Sequence, residues 1–278
     1  MDGQPLLGLR SGIGRYTETL YRYLTKELGV DVTLSFNRIF KNPNVDRGQY
    51  PRWMNHRYPY KVIRRLMAPN LLYSWPADAF TRDPFDIYHG TNFTHLPLKN
   101  GKSVVTIHDL SFLHYPEYTS SVIYKHHSRW VPYSAAKSDH IIADSEYTKN
   151  DIIRLLNIPD NKISVVHLSA DTQFRPMTYD EYRPVLDKYH LPSKYILFVG
   201  TVEPRKNLMQ LIRSYHVIQR LIQEKIVIVG AKGWKYSPIF RLVEDLHLTG
   251  TTIFTGYIDD SDLPAVYNGA SVLVMPSF

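Results

Sequence analysis

The sequence predicts an α/β protein of two domains, each a parallel sheet with helices on both faces. Strand-like and helix-like segments alternate along nearly the whole chain, and one polar segment interrupts the alternation. The length of 278 residues, with 44% hydrophobic residues, is enough for two domains with sizeable cores. We therefore expect two α/β domains joined through the polar segment.

The first domain is expected to span residues 1–172. Apolar residues at helical spacing predict a helix that starts near Tyr16 and another over Tyr147–Leu156. Short runs rich in β-branched residues predict buried strands between the helices. These strands are Asp31–Phe36, Phe85–His89, Ser103–His108, His140–Ala143 and Ile163–His167.

The second domain is expected to span residues 193–278, after a linker over residues 173–192. The linker is predicted because this stretch is polar, contains Pro176, Pro184 and Pro192, and has no strong strand pattern. The predicted strands of the second domain are Tyr195–Val199, Lys225–Val229, Thr252–Thr255 and Val272–Met275, with helices over Leu208–Leu221 and Ser261–Asn268.

Most of the net charge of +7 is concentrated in one segment. Residues 41–70 contain seven Lys or Arg side chains and one acid, interleaved with aromatic residues. The candidate patch for an anionic membrane or acceptor is Arg52, Trp53, Arg57, Lys61, Arg64 and Arg65. A solvated segment without a partner is the alternative, and nucleic acid is disfavoured because no nucleic-acid-binding motif accompanies the charge.

Composition excludes several classes of chemistry and favours one compartment. The chain has no cysteine, which excludes disulfides, cysteine-ligated zinc and a thiol nucleophile. It has no apolar run of membrane-spanning length and no signal peptide. We expect a cytoplasmic protein, with peripheral attachment to the inner face of the plasma membrane as an open alternative.

The segment Tyr195–Tyr215 predicts a phosphate site. An apolar strand ends at Gly200, a short loop carries Arg205 and Lys206, and a helical pattern follows. The first N–H groups of a helix lack partners, and a nearby cation adds charge aimed at the same anion. A solvated basic loop is the alternative.

A second glycine-containing loop, Ser11-Gly12-Ile13-Gly14, precedes the first predicted helix. The glycines allow the backbone to approach a ligand closely, and Ser11 can cap the helix. A plain turn and cap is an equal alternative. The loop is not a dinucleotide fingerprint, because Thr17 stands where the third glycine belongs.

His108 directly follows a predicted strand, at the edge of the sheet where α/β active sites form. It is therefore a candidate to contact a substrate hydroxyl, and a buried structural histidine is the alternative. The pair His108-Asp109 does not match a metal phosphohydrolase, because the pairs in those enzymes lie on helices. The stretch Asp144–Lys149 is interpreted as a helix cap centred on Ser145.

Taken in order, these segments resemble the retaining GT4-type glycosyltransferases, and among them the bacterial mannosyltransferases. The similarity covers essentially the whole chain. It rests on SGIGRYTETL, VVTIHDLSFLHYPE, HIIADSEYTKNDI, KISVVHLSAD, ILFVGTVEPRKNL, IVIVGAKGW and IFTGYIDDSDLPAVYNGASVLVMPS. The resemblance implies the GT-B fold, in which two Rossmann-like domains face each other across a cleft.

The resemblance also implies roles for individual residues. His108 matches the catalytic-site histidine that contacts the donor sugar, and Lys206 matches the lysine that binds the donor diphosphate. The remaining implied contacts are Arg205, Gly12 and Gly14 to the diphosphate, and Tyr257 and Ile258 to the nucleotide base. Thr201 stands where many members carry an arginine, and Arg205 is expected to supply that charge.

The implied reaction transfers a hexose, mannose from GDP-mannose, with retention and without metal or cofactor. The implied acceptor is a glycan or lipid-linked sugar in cell-surface polysaccharide synthesis. The family's acidic motif follows the pair that here is Pro276-Ser277, so we expect truncation at both ends and an incomplete second domain. The alternative is an inactive fragment that binds acceptor or membrane through its first domain.

Overall fold

The computed structural model describes residues 1–8, 11–38, 42–56 and 85–278. Unit 1 comprises Met1–His114 and Val122–Leu168, and unit 2 comprises Tyr115–Ser121 and Ser169–Phe278. The division differs from the expected one, because a short segment of the first expected domain belongs to unit 2. The final passage into unit 2 follows residue 168 and not residue 172.

Unit 1 contains two parallel sheets that are linked by the amino-terminal segment. Strands β1 (Leu34–Phe36) and β2 (Trp53–Asn55) pair with each other. Strands β3 (Ile87–Gly90), β4 (Lys102–Ile107), β5 (His140–Ala143) and β6 (Ile163–Val165) form a four-stranded sheet in sequence order. The N–H of Asp2 donates to the His89 carbonyl at 2.8 Å, and the N–H of Gly3 donates to the Ser35 carbonyl at 2.9 Å.

Helices cover the four-stranded sheet of unit 1 and bury its apolar side chains. They are α1 (Gly12–Arg22), α2 (Ser111–His114), α3 (Ser121–Lys137) and α4 (Glu146–Leu156). The fully buried core joins β4, β5, α3 and α4 through Ile107, Ile141, Val131 and Ile152. This burial is the main favourable term that holds the helices on the sheet.

Helix α3 has a weak sequence signal. None of its first eight residues is buried, Pro132 lies inside it, and its buried residues cluster in the second half at Trp130, Val131 and Ala135. A helix whose apolar face is short and interrupted by proline does not show a clear 3.6-residue period.

Unit 2 is built around a second four-stranded parallel sheet. Strands β7 (Tyr195–Val199), β8 (Lys225–Val229), β9 (Thr252–Gly256) and β10 (Val272–Leu273) lie in the order β10-β7-β8-β9. The accompanying helices are α5 (Tyr179–Lys188), α6 (Leu208–Ile218), α7 (Ser237–Asp245) and α8 (Leu263–Asn268). Both four-stranded sheets are parallel, as the strand–helix alternation predicts.

The expected linker 173–192 contains helix α5, which is part of the core of unit 2. Thr178 and Glu181 form a capping box that starts the helix, and Leu186 is fully buried. Leu186 packs in one cluster with Leu191 and Tyr195. The prolines are compatible with this helix because a strong start signal and a buried face outweigh one interior proline.

The predicted strands occur at their expected positions, several of them with shorter ends. The ends of strands fray because their terminal residues have fewer hydrogen-bond partners. The boundaries therefore shift by one to three residues, most at the start of β1, which is Leu34 and not Asp31. Within the described part of the chain, no helix combines the length and the apolar character needed to cross a bilayer.

Candidate active site

His108 lies at the carboxyl edge of the unit 1 sheet, and both of its ring nitrogens have partners. Its Nδ1 lies 2.7 Å from Oδ2 of Asp144, and its Nε2 donates to the Thr91 carbonyl oxygen at 3.0 Å. The ring packs edge-on against Tyr16 and Phe93, with centroid distances of 5.1 and 5.5 Å. His108 is therefore held in one orientation by polar and aromatic contacts on several sides.

The predicted glycine loop forms the first turn of helix α1. Ser11 caps this turn, because its Oγ accepts from the Gly14 N–H at 3.2 Å. A Cβ on Gly14 would lie 2.9 Å from the Pro5 carbonyl oxygen, so packing alone requires glycine there. A Cβ on Gly12 would meet no atom of the described residues within 4 Å. The space beside Gly12 is therefore open among the described residues. Gly12 lies in the first turn of α1, and Tyr16 of the same helix contacts His108.

A second histidine, His89, lies behind this arrangement. Its Nε2 is 2.8 Å from the Thr106 Oγ1, and that hydroxyl is 2.9 Å from the Tyr16 hydroxyl. Burial lowers the pKa of His89 to about 4, and the neighbouring charge of His108 acts in the same direction. His89 is therefore neutral at physiological pH, and burial also raises the pKa of Tyr16.

A cavity of about 910 Å³ opens beside this edge within unit 1. Its walls come from the amino-terminal segment, from strands β1 and β3 and the segments that follow them, and from helix α3. Phe93 lines the cavity and also contacts His108, while Lys125 and Arg129 supply positive charge. The Oδ1 of Asn37, another lining residue, is buried and has no hydrogen-bond partner among the described residues. The volume is in the range of small-molecule sites.

At the carboxyl edge of unit 2, glycines bring the backbones of adjacent strands into contact. A Cβ on Gly230 would lie 2.0 Å from the Gly200 carbonyl oxygen, so only glycine fits. Gly200, Gly230 and Gly256 all have positive φ, at 156°, 145° and 73°. The backbone at this edge is therefore accessible where side chains would otherwise cover it.

The two predicted cations of unit 2 lie in a 3₁₀ turn, Pro204–Lys206, directly before helix α6. Arg205 pairs with Glu203, with Nη2 to Oε1 at 3.1 Å, and Glu203 is only 2% exposed. The Cε of Lys206 lies 3.8 Å from the Cβ position of Gly200. Lys206 therefore lies at the carboxyl edge of the unit 2 sheet, which we call the glycine edge (Gly200, Gly230 and Gly256). The buried carboxylate of Glu203 offsets the positive charge of Arg205.

The two candidates for base contacts differ in exposure. Tyr257 is 36% exposed, and its hydroxyl donates to Asp260 Oδ1 at 3.1 Å. Ile258 is 2% exposed and belongs to the core of unit 2. Only Tyr257 offers a ring that a planar ligand could cover, so the base contact through the Ile258 side chain is disfavoured.

Of the predicted basic patch, Arg52 and Trp53 belong to the described residues, and Arg57, Lys61, Arg64 and Arg65 lie outside them. Arg52 forms an ion pair with Asp31. Trp53 packs edge-on against Phe36, with the guanidinium of Arg47 5.0 Å from its ring centre. The described part of the patch is thus engaged with its own unit, and membrane binding stays a prediction.

Sequence reasoning missed Asp144 and Glu203 as partners of the predicted residues. Asp144 was assigned only to a helix cap, and Ser145 is indeed the cap of α4, accepting from the Thr148 N–H at 3.1 Å. The available signal for Asp144 was its place one residue beyond a strand adjacent to that of His108. Residues of α3 in the cavity wall were missed because that helix was not predicted.

Comparison with known proteins identifies the family of this architecture. The model of Glycosyltransferase Family 4 matches residues 10–174, and that of glycosyl transferases group 1 matches residues 179–278. The O-antigen chain mannosyltransferase B of Escherichia coli is 30% identical over 286 residues, which cover 99% of this chain and 75% of that protein.

Solved structures share the same architecture at low sequence identity. The glycosyltransferase WaaG, involved in lipopolysaccharide biosynthesis, has a TM-score of 0.69 and 12% identity, over 98% of this chain and 73% of that one. HepE of Anabaena, in complex with UDP and glucose, has a TM-score of 0.63 and 13% identity, over 99% and 72%. These matches confirm a GT-B fold with two Rossmann-like units.

Proposed function

The chain belongs to glycosyltransferase family 4, and from this premise we propose that it transfers mannose from GDP-mannose with retention of the anomeric configuration. The acceptor is a glycan or lipid-linked sugar of a cell-surface polysaccharide of the O-antigen type. The observation that carries the proposal is the similarity over 99% of the chain to an O-antigen chain mannosyltransferase. Similarity to an enzyme along the whole chain disfavours the alternative of a fragment that only binds.

In unit 2, Lys206 binds the diphosphate and stabilises the negative charge that grows on it during transfer. Its position beside Gly200 supports this role, since the glycine edge lets phosphate oxygens approach the backbone. Arg205 contributes less, because Glu203 offsets its charge. Tyr257 offers a partly exposed ring against which the base packs.

In unit 1, His108 contacts a hydroxyl of the transferred sugar, and the open face of Gly12 leaves room for the donor. Retention proceeds by attack of the acceptor hydroxyl on the face from which the diphosphate leaves, and a phosphate oxygen takes the proton. Protein side chains then position the reactants and stabilise charge. This chemistry needs no carboxylate nucleophile.

The cavity beside His108 receives the acceptor in this proposal. Phe93 joins the cavity to His108, so an acceptor hydroxyl placed there lies next to the residue that contacts the donor sugar. The Oδ1 of Asn37, which has no partner among the described residues, accepts from a sugar hydroxyl, and this satisfies a buried polar atom. Lys125 and Arg129 favour an acceptor that carries negative charge.

We also propose that turnover needs no metal or other cofactor, because Lys206 and the start of helix α6 supply positive charge for the leaving diphosphate. Transfer in the presence of EDTA tests this. Cytoplasmic location with peripheral binding to anionic membranes is proposed from the charge of residues 41–70. Co-sedimentation with phosphatidylglycerol vesicles, compared with phosphatidylcholine vesicles, tests the membrane contact.

The experiment that tests the main proposal combines binding with transfer. Calorimetric titration with GDP, GDP-mannose, UDP and UDP-glucose identifies the base, and a fluorescent α-mannobioside serves as acceptor. We expect binding of the guanine nucleotides and mannose transfer that forms an α-linkage. Binding of UDP-glucose in place of GDP-mannose, or formation of a β-linkage, contradicts the proposal.

A further inference from the structure

Asp144 reaches His108 because of the register between two neighbouring strands. Ile107, the last residue of β4, pairs with Ala143, the last residue of β5. The next residue of each strand therefore emerges at the same level of the carboxyl edge, and these residues are His108 and Asp144. Helix α4 adds a second tie, because the Thr148 hydroxyl donates to the His108 carbonyl at 3.1 Å.

The contacts of the His108 ring define where its protons lie. The Thr91 carbonyl can only accept, so Nε2, at 3.0 Å from it, carries a proton. On the other side of the ring, Oδ2 of Asp144 lies 2.7 Å from Nδ1. The two side chains are 11% and 16% exposed, so water competes little for either contact.

The rest of the Asp144 carboxylate is poorly satisfied. Its Oδ1 is buried and has no hydrogen-bond partner within the described ranges. A buried carboxylate oxygen without a partner is unfavourable unless a nearby positive charge compensates it. A proton on His108 Nδ1 would provide that compensation, because a ring protonated on both nitrogens carries a positive charge.

A second histidine–carboxylate pair in unit 1 provides a contrast. His114 Nε2 lies 2.6 Å from Oδ2 of Asp151, and Arg154 Nη2 lies 2.9 Å from Oδ1. Both oxygens of Asp151 are thus satisfied, and Asp151 is 4% exposed. This pair joins α2 to α4 and has the features of a structural link.

We propose that Asp144 is a positioning residue for sugar transfer. It holds His108 with Nδ1–H on the carboxylate, so that Nε2–H is a fixed donor that exchanges the Thr91 carbonyl for a hydroxyl oxygen of the sugar. His108 therefore acts as a hydrogen-bond donor and not as a base. This assignment rests on the proposed function for the identity of the sugar, but the state of the ring can be measured without turnover.

The kinetic test compares Asp144→Ala and Asp144→Asn with the matched control Asp151→Asn, using GDP-mannose and a fluorescent α-mannobioside. By analogy with groups that orient a histidine ligand, Asp144→Ala lowers kcat about 10- to 100-fold. Asp144→Asn loses less, because its amide oxygen still accepts from Nδ1–H. Asp151→Asn lowers the melting temperature and leaves kcat unchanged. Equal kcat values for wild type and both folded Asp144 variants overturn the proposal.

The spectroscopic test uses ¹⁵N-labelled wild-type protein without substrate, with His108→Gln for assignment. We expect a protonated Nδ1 with a downfield proton resonance, which Asp144→Ala abolishes and Asp151→Asn preserves. An unprotonated Nδ1 in the wild type overturns the assignment even if the Asp144 variants do not fold. If the wild type transfers no mannose, the proposed function fails while this spectrum still decides the role of Asp144.

Discussion

The carboxyl edges of the two four-stranded sheets are both formed by parallel strands but carry different residues. In unit 1, His108 follows β4 and Asp144 follows β5, and Nδ1 of His108 lies 2.7 Å from Oδ2 of Asp144. In unit 2, β7 and β8 are followed by Gly200 and Gly230, which remove side chains, and the cation Lys206 lies beside them. Under the proposed function, the carboxyl edge of unit 1 would bind a sugar hydroxyl and that of unit 2 an anion, so the same position in the two sheets would have two roles.

The local backbone explains why the edges diverged in this way. Gly256 at the end of β9 also has positive φ, so three neighbouring strands of unit 2 end in conformations that favour glycine. Gly90 at the end of β3 has a different reason, since a Cβ there would lie 2.3 Å from the Thr94 carbonyl oxygen. At Gly90 in unit 1, glycine allows a loop to fold back, whereas in unit 2 it allows positive φ and the close approach of neighbouring strands.

The largest expected effect comes from removing the cation at the glycine edge. Lys206→Ala should lower kcat about 10²- to 10³-fold, or about 2.7–4 kcal/mol of transition-state stabilisation, because the charge on the diphosphate loses its donor. Lys194→Ala is the matched control, since Lys194 precedes β7 and lies at the opposite end of the strand. Steady-state kinetics with GDP-mannose measure kcat for both variants. Equal losses of kcat would contradict the assignment of the diphosphate to the end of β7 where Lys206 lies.

Acid should affect the edge of unit 1 through His89. Its pKa is about 4 in the folded protein and about 6.5 when unfolded, so the unfolded chain binds the extra proton between these values. The stability contributed by neutral His89 is fully present above pH 6.5. It is lost as the pH drops towards 4, which lowers the free energy of unfolding by roughly 2–3 kcal/mol. Chemical denaturation at several pH values measures this loss.

His89→Gln is the variant that isolates this contribution. This variant should only partly flatten the pH dependence of the free energy of unfolding. Burial also lowers the pKa of His56 and His95, so these residues contribute a pH dependence of the same sign. A pH profile identical to that of the wild type would show that His89 is not the group responsible.

Arg205→Ala should affect stability more than catalysis. Its removal takes a partner from Glu203, which is 2% exposed, so we expect a loss of about 1–3 kcal/mol in the free energy of unfolding. The same change should lower kcat less than Lys206→Ala does, because the arginine charge is already offset. A fall in kcat larger than that of Lys206→Ala would reverse the assignment of the two cations.

Sequence patterns predict the strands of the two four-stranded sheets and the residues that follow them, because an apolar run and its end are local features. The positions of His108 and Lys206 beyond the ends of β4 and β7 are predicted in this way. Strand β2 is not predicted. Asp144 required the register of β4 against β5, which no local pattern contains. The prediction of a linker over helix α5 is wrong, because the prolines of residues 173–192 mask the spacing of Tyr182, Val185 and Leu186. The burial of these residues depends on the rest of unit 2.

The smallest expected effect separates the two glycines of helix α1. Gly14→Ala places a Cβ 2.9 Å from the Pro5 carbonyl oxygen, so it should lower the melting temperature. Gly12→Ala meets only open space among the described residues, so stability should change by no more than about 0.5 kcal/mol. If the donor approaches this face, the KM of the Gly12→Ala variant for GDP-mannose should still rise. The rise should be about tenfold or less, which corresponds to a loss near 1.4 kcal/mol in donor binding free energy. An unchanged KM for Gly12→Ala would place the donor elsewhere and leave Ser11 and both glycines with the structural role of a helix cap.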